Sequence, residues 1–378
     1  LPAPVETELP EVVFGCGGLS RLGELAAGLG RCAFVVSDGG VAKAGIVEAA
    51  LSSLCAASID CAVFDGVAEN PTTDHVEEAT AMARQLGRAD VTIIGIGGGS
   101  AMDCAKGVNF LLSNGGRMED YRGDGLATRA MRPSIGVPTT AGTGSEAQRF
   151  ALISAADNHE KMACGDAGAR FRAVILDAEL TRTVPMSTRC AVGMDAISHS
   201  IESFVCTAAN SQSRFLASEA LRLLEANFRD SLDDDASAAV RGRMLLGAHW
   251  AGASIERSML GVTHACANPL TARYGVVHGV AIGVMLPHVI RFNAQTHESD
   301  YARLSQLLAP PRSGSMALLE RVETLWREAS MPTSLSDFGV RPDDLTTLAS
   351  DASSQKTARF NPRAVTESQI LELYQAAL

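Results

Sequence analysis

Short apolar, β-branched runs alternate with amphipathic stretches through the first half of the chain. Glu11-Val12-Val13-Phe14, Ala33-Phe34-Val35-Val36, Val91-Thr92-Ile93-Ile94 and Ser134-Ile135-Gly136-Val137 read as strands, with further strand-like pieces at 150–154 and 172–176. Residues 41–55 and 73–87 carry helical spacing and are long enough to serve as crossovers. The pattern predicts a parallel α/β sheet, with strands that need helices to connect them.

After Thr183-Val184-Pro185 the β-branched runs stop. Long Ala- and Leu-rich segments follow at 187–207, 212–229, 236–258, 279–293, 316–329 and 366–377, and they predict an all-α second half. The expected division is therefore 1–184 and 185–378. Pro185 suits the first turn of a new helix, with Ser187 or Thr188 as candidate caps. The run Asp233-Asp234-Asp235 reads as a solvated turn, and Pro310-Pro311-Arg312-Ser313-Gly314 as a surface loop. No internal repeat is visible.

A chain of 378 residues is longer than one hydrophobic core usually serves, which agrees with two domains. Its formal net charge of −11 argues against a phosphate-backbone partner, and 5% aromatic residues leave little for a base-stacking platform. No apolar run reaches the roughly 18 residues of a membrane-spanning helix. The beginning, Leu1-Pro2-Ala3-Pro4, has no basic region followed by an apolar one, so a cytoplasmic protein is expected. Nine scattered cysteines, none spaced as Cys-x-x-Cys, fit buried thiols in a reducing compartment.

Two glycine-bearing segments carry candidate chemistry. Residues 92–99 run from a buried-type strand into Gly95-Ile96-Gly97-Gly98-Gly99-Ser100, with a helix starting near Ala101. Free N–H groups and the positive end of a helix dipole there suit a pyrophosphate, although a tight strand-to-helix turn would use the same glycines. Pro138-Thr139-Thr140-Ala141-Gly142-Thr143-Gly144-Ser145-Glu146 follows a second strand and adds hydroxyls. Two such loops at the ends of two strands point to one shared cleft, although a Thr-rich helix cap is the alternative for the second. Asp38 closes the strand Ala33–Ser37, where a carboxylate can accept from an adenosine ribose and repel a 2′-phosphate, favouring NAD over NADP. A turn-forming role is the alternative, since Asp38-Gly39-Gly40 allows one. This acid precedes the main glycine loop, which departs from the usual Rossmann fingerprint.

In Gly193-Met194-Asp195-Ala196-Ile197-Ser198-His199-Ser200-Ile201-Glu202 an Asp and a His stand four residues apart, hence on one face of a helix. His264 and His278 follow in apolar, glycine-marked surroundings. One carboxylate and three imidazoles form a set suited to iron(II) or zinc. The remaining histidines, His75, His159, His249, His288 and His297, read as structural or surface residues, with His288 the one to place near a cleft.

Together these motifs resemble the iron-containing, or group III, alcohol dehydrogenase family, including its lactaldehyde reductase and propanediol dehydrogenase type members. The likeness runs nearly end to end, from Val13-Phe14-Gly15-Cys16-Gly17 through Gly97–Lys106, Pro138–Glu146, Asp177-Ala178-Glu179-Leu180-Thr181 and the histidine segments to Asn361-Pro362-Arg363. It implies an N-terminal dinucleotide-binding domain, a helical C-terminal domain and a homodimer or larger homo-oligomer. The family's metal ligands fall on Asp195, His199, His264 and His278, with Fe2+ ahead of Zn2+ as the ion. Its NAD(H) contacts fall on Asp38, Asn70, Gly97, Gly98, Gly99, Ser100, Asp103, Thr139, Thr140, Thr143, Ser145, Lys161 and Leu180, where Lys161 is otherwise a surface lysine. The implied activity is reversible hydride transfer between nicotinamide and a small aliphatic alcohol or aldehyde.

Three positions depart from the family pattern. Asn268 stands where many members carry a histidine four residues after the third ligand, and an amide cannot shuttle a proton near neutral pH. Ile255-Glu256-Arg257 replaces a common Phe-x-Asn, and Gln148-Arg149 replaces a small hydroxyl and an apolar residue. Arg149 can pair with an anionic substrate or with a structural partner. Glycerol dehydrogenase-like and maleylacetate reductase-like chemistry, or a non-catalytic NAD or metal sensor, are the alternative readings.

Overall fold

The computed structural model describes residues 10–157 and 160–378. The opening Leu1-Pro2-Ala3-Pro4 and His159 lie outside them. The chain folds into two compact units. One holds the described residues up to Thr140 together with Ser145–Thr183, and the other holds Ala141–Gly144 and Val184–Leu378.

The strands of the first unit are β1 (Glu11–Phe14), β2 (Cys32–Val36), β3 (Asp60–Phe64), β4 (Val91–Gly97), β5 (Gly123–Asp124), β6 (Ser134–Pro138), β7 (Phe150–Ser154), β8 (Lys161–Gly165) and β9 (Ala173–Leu176). Six of them form one sheet in the order β1-β9-β6-β4-β2-β3, with every neighbouring pair parallel. Strands β2, β4, β6 and β9 are buried along their whole length, as a sheet covered on both faces requires. The helices of this unit are α1 (Leu22–Ala27), α2 (Gly39–Lys43), α3 (Ile46–Ala56), α4 (Thr73–Gln85) and α5 (Gly99–Asn114). A smaller sheet, β5-β8-β7, pairs β7 and β8 antiparallel.

The sheet order has a physical consequence. From β2 the chain runs outward to the edge strand β3, then returns to the other side of β2 as β4 and continues to β6. The strand order therefore reverses between β2 and β4, and ligands of open α/β sheets bind beyond the carboxyl ends of strands at such a switch point. Asp38 follows β2 and Gly98 follows β4 at that place.

The second unit is mostly helical, with α6 (Met186–Val205), α7 (Ser211–Ser231), α8 (Ala238–Glu256), α9 (Val262–Tyr274), α10 (His278–Ser305), α11 (Ser315–Glu328), α12 (Leu345–Ser354) and α13 (Glu367–Ala377). A single apolar cluster runs through it, joining Ile197 and Ile201 of α6, Leu224 and Phe228 of α7, Met285 of α10 and Trp326 of α11. Burying a Leu, Ile or Phe contributes roughly 1.5–3 kcal/mol, so this shared core fixes the helices that carry the histidines.

Several expectations are corrected. Pro185 is itself the N-cap of α6, and Ser187 and Thr188 lie inside the first turn rather than capping it. The stretch 41–55 is broken at Gly45, whose left-handed backbone (φ +77°) separates α2 from α3. Among the cysteines, Cys16, Cys55 and Cys61 are exposed; the other six are buried, and all nine are free. No helix among the described residues is long and apolar enough to cross a membrane.

Candidate active site

Asp195 and His199 lie one turn apart on α6, four residues apart and facing the same way. His264 is the third residue of α9, and His278 is the first residue of α10. The start of α10 packs hard on α6, because a Cβ at Gly279 would fall 2.1 Å from the carbonyl oxygen of Ala191. Only glycine permits that approach, and it brings His278 beside the Asp195 turn.

The four side chains converge on one atom. Oδ1 of Asp195 stands 3.3 Å from Nε2 of His199, 3.4 Å from Nε2 of His264 and 3.9 Å from Nε2 of His278. The His199 and His264 rings stack at 4.9 Å with 19° between their planes, and His278 tilts 50° from His264 at 5.5 Å. Asp195, His199 and His264 are buried, whereas the His278 side chain keeps 29% of its surface.

These residues fit a divalent cation. Asp195 Oδ1 and His264 Nε2 are buried and make no hydrogen bond, and such orphaned polar atoms are costly unless an ion satisfies them. The donor atoms of Asp195, His199 and His264 lie within 4.8 Å of one another. One carboxylate oxygen and imidazole nitrogens form an N/O donor set of the kind that binds Fe2+ or Zn2+.

The electrostatics point the same way. Burial works to raise the Asp195 carboxyl, but the facing imidazoles of His199, His278 and His264 outweigh it and hold that carboxyl well below the carboxylate range. Burial pulls His199 down to about 4 against the attraction of Asp195. His264 moves the other way, to about 9, because the carboxylates of Asp195 and Glu202 overcome its burial. Two buried carboxylates thus draw positive charge into this cluster.

The residues expected to hold a dinucleotide gather at the switch point of the first unit. Asp38 caps α2, its Oδ1 accepting from the N–H groups of Gly40 at 2.9 Å and Val41 at 3.0 Å. The turn-forming role is therefore real for Oδ1. Gly97 has φ +150°, a conformation essentially confined to glycine, and a Cβ there would meet Oδ2 of Asp38 at 3.0 Å and the Cβ of Ala101 at 2.7 Å. Thr139 donates from its backbone to Gly97 O at 2.8 Å, and Thr140 lies against Gly98. Gly98 caps α5, while Gly99 and Ser100 form its first turn, so free N–H groups meet the dipole of a 16-residue helix.

Other residues expected to touch the cofactor have partners within the protein. Asp103 and Ser145 are bonded to each other, Ser145 Oγ donating to Asp103 Oδ1 at 2.5 Å, and both engage the buried amine of Lys106. Asn70 and Lys161 pair with one another at 3.5 Å. Leu180 joins the core cluster with Val41, Ile96 and Val137. Thr143 belongs to the segment Ala141–Gly144, which is part of the helical unit.

The departures also acquire partners. Asn268 donates to Gln355 Oε1 at 3.1 Å, Arg149 pairs with Asp124 at 2.8 Å, and Arg257 closes α8 by donating to Ala253 O at 3.1 Å. Of the histidines outside the cluster, His75 completes a capping box with Thr72 and His249 is buried. Two residues carry more weight than their place in the sequence suggests. Lys106 and Glu202 are single members of longer motifs, yet both are buried ions with several partners.

The family description "Iron-containing alcohol dehydrogenase" matches residues 10–178, and "Fe-containing alcohol dehydrogenase family, C-terminal" matches residues 189–378. The chain belongs to the iron-containing alcohol dehydrogenase family, and it is an oxidoreductase. It is 32% identical to a sulfoacetaldehyde reductase of Bilophila wadsworthia, over 98% of each chain. It is 31% identical to the lactaldehyde reductase of Escherichia coli K12, over 96% of this chain and 97% of that one. A solved 1,3-propanediol oxidoreductase superposes with a TM-score of 0.94 at 30% identity, over 99% of both chains.

Proposed function

We propose that this chain is an NAD(H)-linked reductase of small aliphatic aldehydes, working reversibly on the matching alcohols, with Asp195, His199, His264 and His278 as its metal ligands. The observation that carries the reading is the convergence of three imidazole Nε2 atoms on Oδ1 of Asp195 within 3.9 Å. Fe2+ is the favoured ion and Zn2+ the second. When bound, the ion supplies Lewis acidity toward an alcohol or carbonyl oxygen, while the nicotinamide accepts or returns the hydride.

The chain's own residues supply the remainder. Three imidazoles and the Asp195 carboxylate would hold the ion, with Glu202 a second buried carboxylate behind His264. The half-buried His278 marks the side from which a small oxygen ligand enters. Asp38 presents Oδ2 beside the glycine turn, positioned to accept from a ribose and to repel a 2′-phosphate. Asn268 offers no proton acceptor at neutral pH, so proton exit runs through water or cofactor hydroxyls. The unit ending near 184 serves as the dinucleotide-binding domain and 185–378 as the metal-binding one.

A three-carbon or two-carbon aldehyde is the substrate class, supported by the names of relatives that act on lactaldehyde, sulfoacetaldehyde and propanediol. We place the enzyme in the cytoplasm as a homodimer. Nine free thiols support the first assignment. The apolar edge strand β1, with Val12 and Phe14 exposed, supports the second. Following NADH consumption by anaerobically Fe2+-loaded protein with lactaldehyde, 3-hydroxypropanal and sulfoacetaldehyde tests the reading. Cofactor binding without turnover of any of these aldehydes would contradict it and leave the glycerol dehydrogenase-like, maleylacetate reductase-like and sensor alternatives.

A further inference from the structure

Seven residues beyond Asp195 and three beyond His199, Glu202 occupies the same face of α6, 3% exposed. Its carboxylate accepts three donors from the start of α9. Oε2 takes the N–H of Gly261 at 3.0 Å and the ring Nδ1–H of His264 at 2.6 Å, and Oε1 takes the N–H of Thr263 at 2.8 Å. A side chain at Gly261 would come within 2.8 Å of Oε1, so that loop is shaped to the carboxylate. All three partners donate, which leaves the carboxylate no partner for a proton.

We infer that Glu202 is a positioning residue for the metal centre: it holds the proton of His264 on Nδ1 and thereby aims the unprotonated Nε2 at the ion. A neutral imidazole has one protonated nitrogen, and the hydrogen bond made by the outer nitrogen decides which one remains to ligate. His264 Nε2 is the buried, unbonded atom 3.4 Å from Asp195 Oδ1. One helix therefore supplies two expected ligands and also the group that orients a third. The same carboxylate caps α9, so a purely structural role is the competing account.

The inference rests on the metal reading above, and the test separates the two. Metal-free wild type, E202Q and N361A are titrated with Co2+ and followed by visible absorption, with melting of each metal-free protein as the stability readout. Asn361 accepts from the N–H of Val262 in the same helix turn and also bonds Asn293 and the carbonyl of Arg363, so N361A destabilises that turn and its surroundings while leaving the Glu202–His264 bond in place. E202Q is expected to weaken Co2+ binding 10- to 100-fold. N361A is expected to stay within about threefold of wild type at a comparable loss of melting temperature. Co2+ binding by E202Q within twofold of wild type, or equal weakening by both variants, would overturn the inference. A wild type that takes up no Co2+ would instead remove the metal reading itself. Should E202Q fail to fold, the 15N ring resonances of His264 in Zn2+-loaded wild type decide, with a proton on Nδ1 expected and a metal-bound Nδ1 contradicting it.

Discussion

Oδ2 of Asp38 and Gly97 stand at the switch point of the sheet, so close that a single added carbon on Gly97 would meet the carboxylate at 3.0 Å. The other oxygen of Asp38 already caps α2. One side chain thus shapes the turn and leaves a negative charge beside the glycine loop. Asp38→Asn should keep the cap, since Asn caps as well as Asp, and remove only the charge. We expect an unchanged melting temperature and a rise of about tenfold in the ratio of NADP to NAD efficiency, on the order of 1.4 kcal/mol. Steady-state kinetics with both cofactors check it, and an unaltered ratio would separate Asp38 from the ribose.

Gly97 tolerates no side chain. Its φ of +150° and the 2.7 Å approach of Ala101 Cβ leave no room for one. Gly97→Ala should cost about 1–3 kcal/mol of stability through backbone strain alone. Denaturant unfolding measures that cost. NAD titration should weaken in parallel, because the N-terminus of α5 must shift to admit the methyl group.

Lys106 is a second buried ion whose loss should be felt. Its amine donates to Ser145 O at 2.8 Å, Ser145 Oγ at 2.7 Å and Phe150 O at 2.7 Å, and lies 3.5 Å from Asp103. Lys106→Met would leave Asp103 buried with its cation removed, at a cost of about 3–5 kcal/mol. Urea unfolding should register that fall, and a double variant that also carries Asp103→Leu should recover part of it.

Asn268 donates to Gln355 and has no titrating group of its own. Asn268→His should add an ionisation near 6.5 to the pH dependence of alcohol oxidation, where the wild type has none from this position. Superimposable profiles for the two proteins would show that the residue lies off the proton path.

Much of the fold was legible because its signals are local. Buried parallel strands such as Val91–Gly97 are continuous apolar runs, and α6, α7 and α11 carry long helical patterns. β3 and β8 were missed, since Asp60-Cys61-Ala62 and Lys161-Met162-Ala163 become strands only by pairing with β2 and β7. α9 was missed for a related reason. Its hydrophobic pattern has no preferred side, it contains Pro269, and its first turn depends on acceptors from Glu202 and Asn361, far away in sequence. Asp195 and His199 were readable as a helical pair, but Glu202 gained meaning only when α9 was seen to lay His264 against it. Leu180 shows the limit of a motif: it packs with Val41, Ile96 and Val137, and the apolar pattern alone does not tell a core leucine from one that also meets a ligand.

The central claim is that Asp195, His199, His264 and His278 hold a catalytic divalent ion. Metal content and aldehyde-dependent NADH oxidation, measured together on anaerobically purified wild type and on His264→Ala, test it most directly. We predict about one divalent ion per wild-type chain, with turnover lost on chelation and restored by Fe2+. His264→Ala should fold, lose most of its metal and lose activity in proportion. Full turnover by metal-free wild type, or a His264→Ala protein that keeps both metal and activity, would contradict it.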